Sequence, residues 1–167
     1  DNELYPNFLK ETFEAIINPI SYTFGYSAVA VGRIIKYKNF EDYAPPKVSG
    51  LFSIDWGWLI DKRVFDTIQY DEDLRANEDM DFGIRFSKSF KAMALNEPLA
   101  IAFDMEDPKQ SLSFPSAREI NGMKGFVDKN LKEYTDPNEL RYLYRLMGRK
   151  LYRGGERLEG LTYFWKS

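Results

Sequence analysis

Glu78 and Asp79 stand directly after Asn77 and directly before an apolar series, Phe82, Ile84, Phe86 and Phe90, with Arg85 two turns further along. Asn77 is a favoured helix-capping residue, so the pair falls in the first turn of a helix. An ionised carboxylate there is oriented by backbone donors and favoured by the helix dipole. It can take a proton from an alcohol as a new bond forms to the oxygen, which is general-base chemistry. The plainer reading is first-turn charge, worth a few tenths to about 1 kcal/mol. Glu78 reads equally as a group that hydrogen-bonds ligand hydroxyls and as a capping charge. Arg85 stands four residues after Asp81, the spacing of an intrahelical ion pair.

Composition narrows the chemistry. The 167 residues contain no His and no Cys. That removes His-based triads, zinc sites of the usual ligand types and a disulfide framework. Acid–base work falls to carboxylates, Lys or Tyr. The net charge of −3 does not favour a nucleic-acid partner. Lack of Cys suits a reducing compartment, so a cytoplasmic protein is expected. No stretch reaches the roughly 20 apolar residues of a membrane span, and the acidic Asp1-Asn2-Glu3 does not read as a secretory leader. Aromatics make up 16% of the chain, which suits either a large-ring core or stacking on a ligand.

The elements that must position these groups follow from periodicity. Pro6 to Ile17 reads as a helix with Phe8, Leu9, Phe13, Ile16 and Ile17 at helical spacing. One or two strands are expected over 21–37, a loop over 38–48 around Pro45-Pro46, and a strand over 50–60 that turns at Gly57. Asp61 caps a short helix to Ile68, and 70–76 is a polar loop. The helix from Asn77 to Phe90 follows. Residues 91–103 read as strand, turn at Asn96-Glu97-Pro98, strand, and 104–116 as a loop. From Ala117 onward the pattern is helical. Its clearest helix, 139–153, puts Leu140, Leu143, Tyr144, Met147 and Leu151 on one face and Arg141, Arg145, Arg149 and Arg153 on the other.

Three segments in this order resemble the second half of the catalytic domain of family 2 glycosyltransferases, the inverting, nucleotide-sugar-dependent enzymes of GT-A fold. Asp1, Asn2, Pro6 and Leu9 stand at the spacings that end and follow that family's Asp-x-Asp motif. Asp55-Trp56-Gly57-Trp58-Leu59-Ile60-Asp61-Lys62-Arg63-Val64-Phe65 is similar to the segment leading into its acceptor-side helix. Tyr70-Asp71-Glu72-Asp73-Leu74 followed by Asn77-Glu78-Asp79 is similar to its Phe-Asp-Glu … Glu-Asp signature. The resemblance covers roughly residues 1–115. It implies an α/β fold, a partial GT-A (Rossmann-like, mixed-sheet) domain, with Asp79 as catalytic base. It further implies that Asp55, Trp56, Gly57, Glu78 and Arg85 bind substrate and that Asp1 binds a divalent metal, Mg²⁺ or Mn²⁺. Donor and acceptor would be a nucleotide-sugar and a carbohydrate or lipid-linked alcohol. The chain departs from the pattern in lacking the first aspartate, a late metal-binding His and a Gln-x-x-Arg-Trp motif. The last absence argues against a processive, membrane-embedded polysaccharide synthase. The nucleotide-binding half is not in these residues, so a fragment of a longer enzyme is expected.

Residues 1–115 are thus expected to be the acceptor-side part and 116–167 a C-terminal helical extension. Charge divides unevenly. From Asn121 on there are ten Lys/Arg against six Asp/Glu, leaving the earlier residues net acidic. The Arg face of 139–153 reads as a solvated surface or as a helix resting on anionic lipid, which would give peripheral membrane contact. Trp56 and Trp58 alternate, so as strand residues they would face opposite ways, one into the core and one exposed, with Trp56 the candidate for sugar stacking. A different class of reading is a non-catalytic interaction or membrane-surface module in which the acidic signature is structural.

Overall fold

The computed structural model describes residues 2–18, 25–36, 41–48, 52–74, 76–103, 117–130 and 136–167. It is an α/β structure with a mixed sheet and, among the described residues, five α-helices. The chain divides into two compact units. One comprises Asp1–Gln69 with Phe82–Glu106, the other Tyr70–Asp81 with Asp107–Ser167.

The first unit holds the sheet: β1 (Glu3–Leu4), β2 (Tyr26–Lys36), β3 (Glu41–Ala44), β4 (Trp58–Ile60) and β5 (Lys91–Phe103). The long strands β2 and β5 run parallel. β1 pairs antiparallel with β5, and β3 and β4 pair antiparallel with β2. The central run Ala28-Val29-Ala30-Val31 is wholly buried, as expected of a strand covered on both faces. Ala28 and Val31 point to opposite faces. Ala28 joins Phe52, Ile54, Val64, Phe82 and Phe86. Val31 joins Phe8, Leu99 and Ala100. Phe8 belongs to α1 (Phe8–Ile17), while Phe82 and Phe86 belong to α2 (Glu78–Ser89). Full burial of each such ring is worth roughly 1.5–3 kcal/mol. Between β4 and α2, Asp61 caps a 3₁₀ turn, Lys62–Asp66, by accepting from the Arg63 N–H at 2.9 Å.

Several expectations change here. Residues 91–103 form one strand. Asn96-Glu97-Pro98 makes a bulge: the register passes from Val31↔Leu95 directly to Gly32↔Pro98. A bulge tolerates a proline that has no N–H to give the ladder. The Tyr43 hydroxyl donates to the freed Asn96 carbonyl at 2.6 Å. Tyr43 lies on β3, inside the stretch read as a loop. Its Glu-Asp start is poor strand sequence, but antiparallel pairing to β2 and the Lys36–Glu41 bridge at 3.2 Å hold it. Of the strand expected over 50–60, Trp58–Ile60 is strand and 52–57 are not, while 50 and 51 lie outside the described residues. On α1, Phe8 and Thr12 turn inward, while Leu9, Phe13 and Ile17 are exposed. The expected strand start at 21–24 and the loop at 104–116 lie outside the described residues.

The second unit holds α3 (Ala117–Asn130), α4 (Pro137–Arg153) and α5 (Arg157–Trp165). Asp136 caps α4, accepting from the Asn138 N–H at 2.7 Å, with Pro137 in the first turn. Leu143, Met147 and Leu151 are fully buried, as the wheel predicts. α4 and α5 meet through glycines. A Cβ on Gly148 would lie 2.9 Å from the Gly160 carbonyl oxygen, and one on Gly160 would lie 2.8 Å from that of Gly148.

Candidate active site

In the first unit, Asp55, Trp56 and Gly57 gather around Arg33 of β2. The Arg33 Nη1 donates to both oxygens of Asp55, at 3.2 and 3.0 Å. Its guanidinium carbon lies 5.1 Å from the centre of the Trp56 ring. Charge pairing and cation–π attraction therefore hold the same cation from two sides. Trp56 packs on the Phe8–Val31–Leu99 cluster, whereas Trp58 stacks on Phe52 with ring centres 5.5 Å apart and belongs to the opposite cluster. The two tryptophans do part company as the alternation implies. Neither is fully exposed, however; both are half-buried. Gly57 has φ +84°, a left-handed backbone that glycine adopts without strain. Its nearest Cβ contact would be an ordinary 3.6 Å, so backbone conformation, not space, explains the residue.

Glu78 and Asp79 open α2 in the second unit. Asn77 has φ +62°, the one non-glycine left-handed residue among those described. Its carbonyl accepts the Asp81 N–H at 3.0 Å and starts the helix. Its side-chain Nδ2 is buried with no hydrogen-bond partner among the described residues. Glu78 is exposed and Asp79 half-buried, and the Asp79 Oδ1 accepts the Met80 N–H at 2.8 Å. A strained turn beside a buried, unsatisfied amide is the kind of local cost that accumulates at functional sites.

Asp81 is wholly buried. It accepts from Lys129 Nζ at 3.0 Å and from Asn130 Nδ2 at 3.2 Å, and Lys129 also bridges to Asp71. Burial pulls the Lys129 pKa down, but its hydrogen bonds to Asp71 and Asp81 outweigh that and raise it above the usual 10.5. Sequence spacing pointed Asp81 at Arg85 and gave no sign of Lys129, 48 residues further on. The Arg85 guanidinium carbon lies 5.9 Å from the Phe82 ring centre.

Two open depressions lie in the first unit. One of about 490 Å³ is lined by Gly25, Tyr26, Asp61, Arg63 and Thr67 among others. The other, of about 370 Å³, is lined by Tyr26, Phe52, Phe86 and Phe90 among others. Neither includes an expected site residue. The Asp61 carboxyl is held down to about 2 by its hydrogen bonds with the Arg63 side chain and backbone. The expected metal ligand Asp1 lies outside the described residues. Among those described, no group of three or more Asp, Glu, His or Cys could hold a metal ion. Among the described residues, no helix is long and apolar enough to cross a membrane.

No family model, curated protein or solved structure matches the chain.

Proposed function

We propose that this chain is the acceptor-side part of an inverting, GT-A-type glycosyltransferase and that Asp79 is its general base. The observation that carries the reading is the start of α2. The left-handed Asn77 turns the chain so that a half-exposed Asp79, held by the Met80 N–H, begins the helix. In the proposed reaction, the Asp79 carboxylate accepts the proton of an acceptor hydroxyl. The freed oxygen attacks the anomeric carbon of a nucleotide-sugar from the side opposite the leaving diphosphate, and the sugar centre inverts. Proton transfer of this kind contributes typically 10²–10⁴-fold. A divalent metal on the diphosphate would need ligands other than the described residues of this chain. Leu9, Phe13 and Ile17, left exposed along α1, offer an apolar stripe against which a nucleotide-binding half would pack.

The test is the anomeric configuration of the product. The full native polypeptide is offered α-linked nucleoside-diphosphate sugars with carbohydrate and lipid-linked acceptors, and the new linkage is read by NMR. A β-linked product is expected. An α-linked product, or no transfer from any donor, overturns the reading.

A second reading, a non-catalytic module that engages a membrane surface, is favoured by the exposed basic face of α4, where Arg141, Arg145, Arg149 and Arg153 all reach solvent.

A further inference from the structure

The apolar face of α4 is spent in the interior, where Leu143, Met147 and Leu151 are fully buried. Beyond its charge, that helix offers a membrane only the exposed rings of Tyr142 and Tyr152. The apolar surface lies on α5. Trp165 is 90% exposed, Leu158 83% and Leu161 44%. Their spacing of three and four residues puts them on one helical face. Contacts fix which way that face looks. Gly160 meets Gly148, Glu159 accepts from Lys124 Nζ at 2.9 Å, and Tyr163 packs against Tyr144. The side bearing Leu158, Leu161 and Trp165 is therefore turned away from α4. Isolated exposed hydrophobics need no explanation, but a Trp and two Leu on one face do.

The surrounding charge selects the occupant. From Asp136 to Ser167 there are seven Lys/Arg against four Asp/Glu. Arg157 and Lys166 stand at the two ends of α5, over the rings of Tyr152 and Tyr163 at 5.8 and 5.1 Å. The four exposed arginines of α4 belong to the same hairpin. A second copy meeting this surface symmetrically would set like charges opposite one another. An anionic lipid surface would instead attract each of them. Trp is also the side chain most at home between headgroups and acyl chains.

We propose that the α4–α5 hairpin is a lipid-binding surface. α5 lies in the plane of an anionic membrane with Leu158, Leu161 and Trp165 in the acyl boundary, and the arginines of α4 face the headgroups. This does not depend on the transferase reading.

The test is flotation of the full chain with vesicles. One set is phosphatidylcholine alone; the other is an equimolar mixture with phosphatidylglycerol. Binding is expected to the mixed vesicles only, with a blue shift of Trp165 emission. Trp165→Ala should weaken it about tenfold. Arg145→Gln and Arg149→Gln should each weaken it by roughly fivefold. Circular dichroism of the variants separates these losses from unfolding, and the exposure of all three side chains predicts unchanged spectra. Equal binding to neutral vesicles, no binding to the anionic ones, or full binding by Trp165→Ala overturns the proposal. So does a wild-type dimer that Trp165→Ala abolishes while vesicles are ignored.

Discussion

At the scale of single residues, the Asp71–Lys129–Asp81 cluster has the clearest energetic consequence. The folded state binds the Lys129 proton more tightly than the unfolded chain does, because its pKa is raised above 10.5. Its stabilisation is therefore fully present below about 10.5 and lost as pH rises through the higher folded-state value. Urea unfolding followed across that range should show a falling stability that flattens in Lys129→Met. An unchanged alkaline slope in the variant would remove Lys129 from the account. That Glu78 and Asp79 stand in the first turn of a helix was legible in the sequence, because an acidic pair before a helical apolar series is a local signal. The partners of Asp55 and Asp81 were not. Arg33 lies 22 residues from Asp55 and Asn130 lies 49 from Asp81. Those pairings are set by which elements pack together, and nothing in local spacing encodes that.

At the scale of elements, helices with strong periodicity read correctly. α4 begins at a capping Asp136 and a first-turn Pro137; Leu143, Met147 and Leu151 of the predicted apolar face are buried, Leu140 and Tyr144 are half-buried, and Gly148 is buried as well. Sheet irregularities read poorly. Asn96-Glu97-Pro98 has the composition of a turn, yet a parallel partner along the whole of β2 converts it into a bulge. The same residue chemistry serves both, and only tertiary context chooses. The β3 strand was hidden because backbone pairing to β2 outweighs its weak strand propensity. The α4–α5 pair gives the prediction proper to this scale. A methyl at Gly160 would fall 2.8 Å from the Gly148 carbonyl oxygen. Gly160→Ala should therefore cost about 1–3 kcal/mol through overpacking, against the usual gain of alanine in a helix. Thermal unfolding measures it, and a variant as stable as the parent would show that the helices part without cost.

At the scale of the whole molecule, charge and apolar surface are distributed in ways that the composition totals conceal. The net charge of −3 is the difference between an acidic run up to residue 120 and a basic remainder. Among the described residues, α1 exposes Leu9, Phe13 and Ile17, and α5 exposes Leu158, Leu161 and Trp165, in separate units. The α/β class and the mixed sheet agree with what the resemblance of residues 1–115 implied. The exposed stripe on α1 was not legible, because periodicity reports an apolar face but not what covers it. The central claim remains that Asp79 acts as a base toward an acceptor alcohol. Its most direct test is the turnover of Asp79→Asn in the full native polypeptide, measured beside donor binding and the circular dichroism spectrum. The account predicts that transfer falls by roughly a hundredfold or more while donor affinity and fold are retained. Transfer at the parental rate would contradict it.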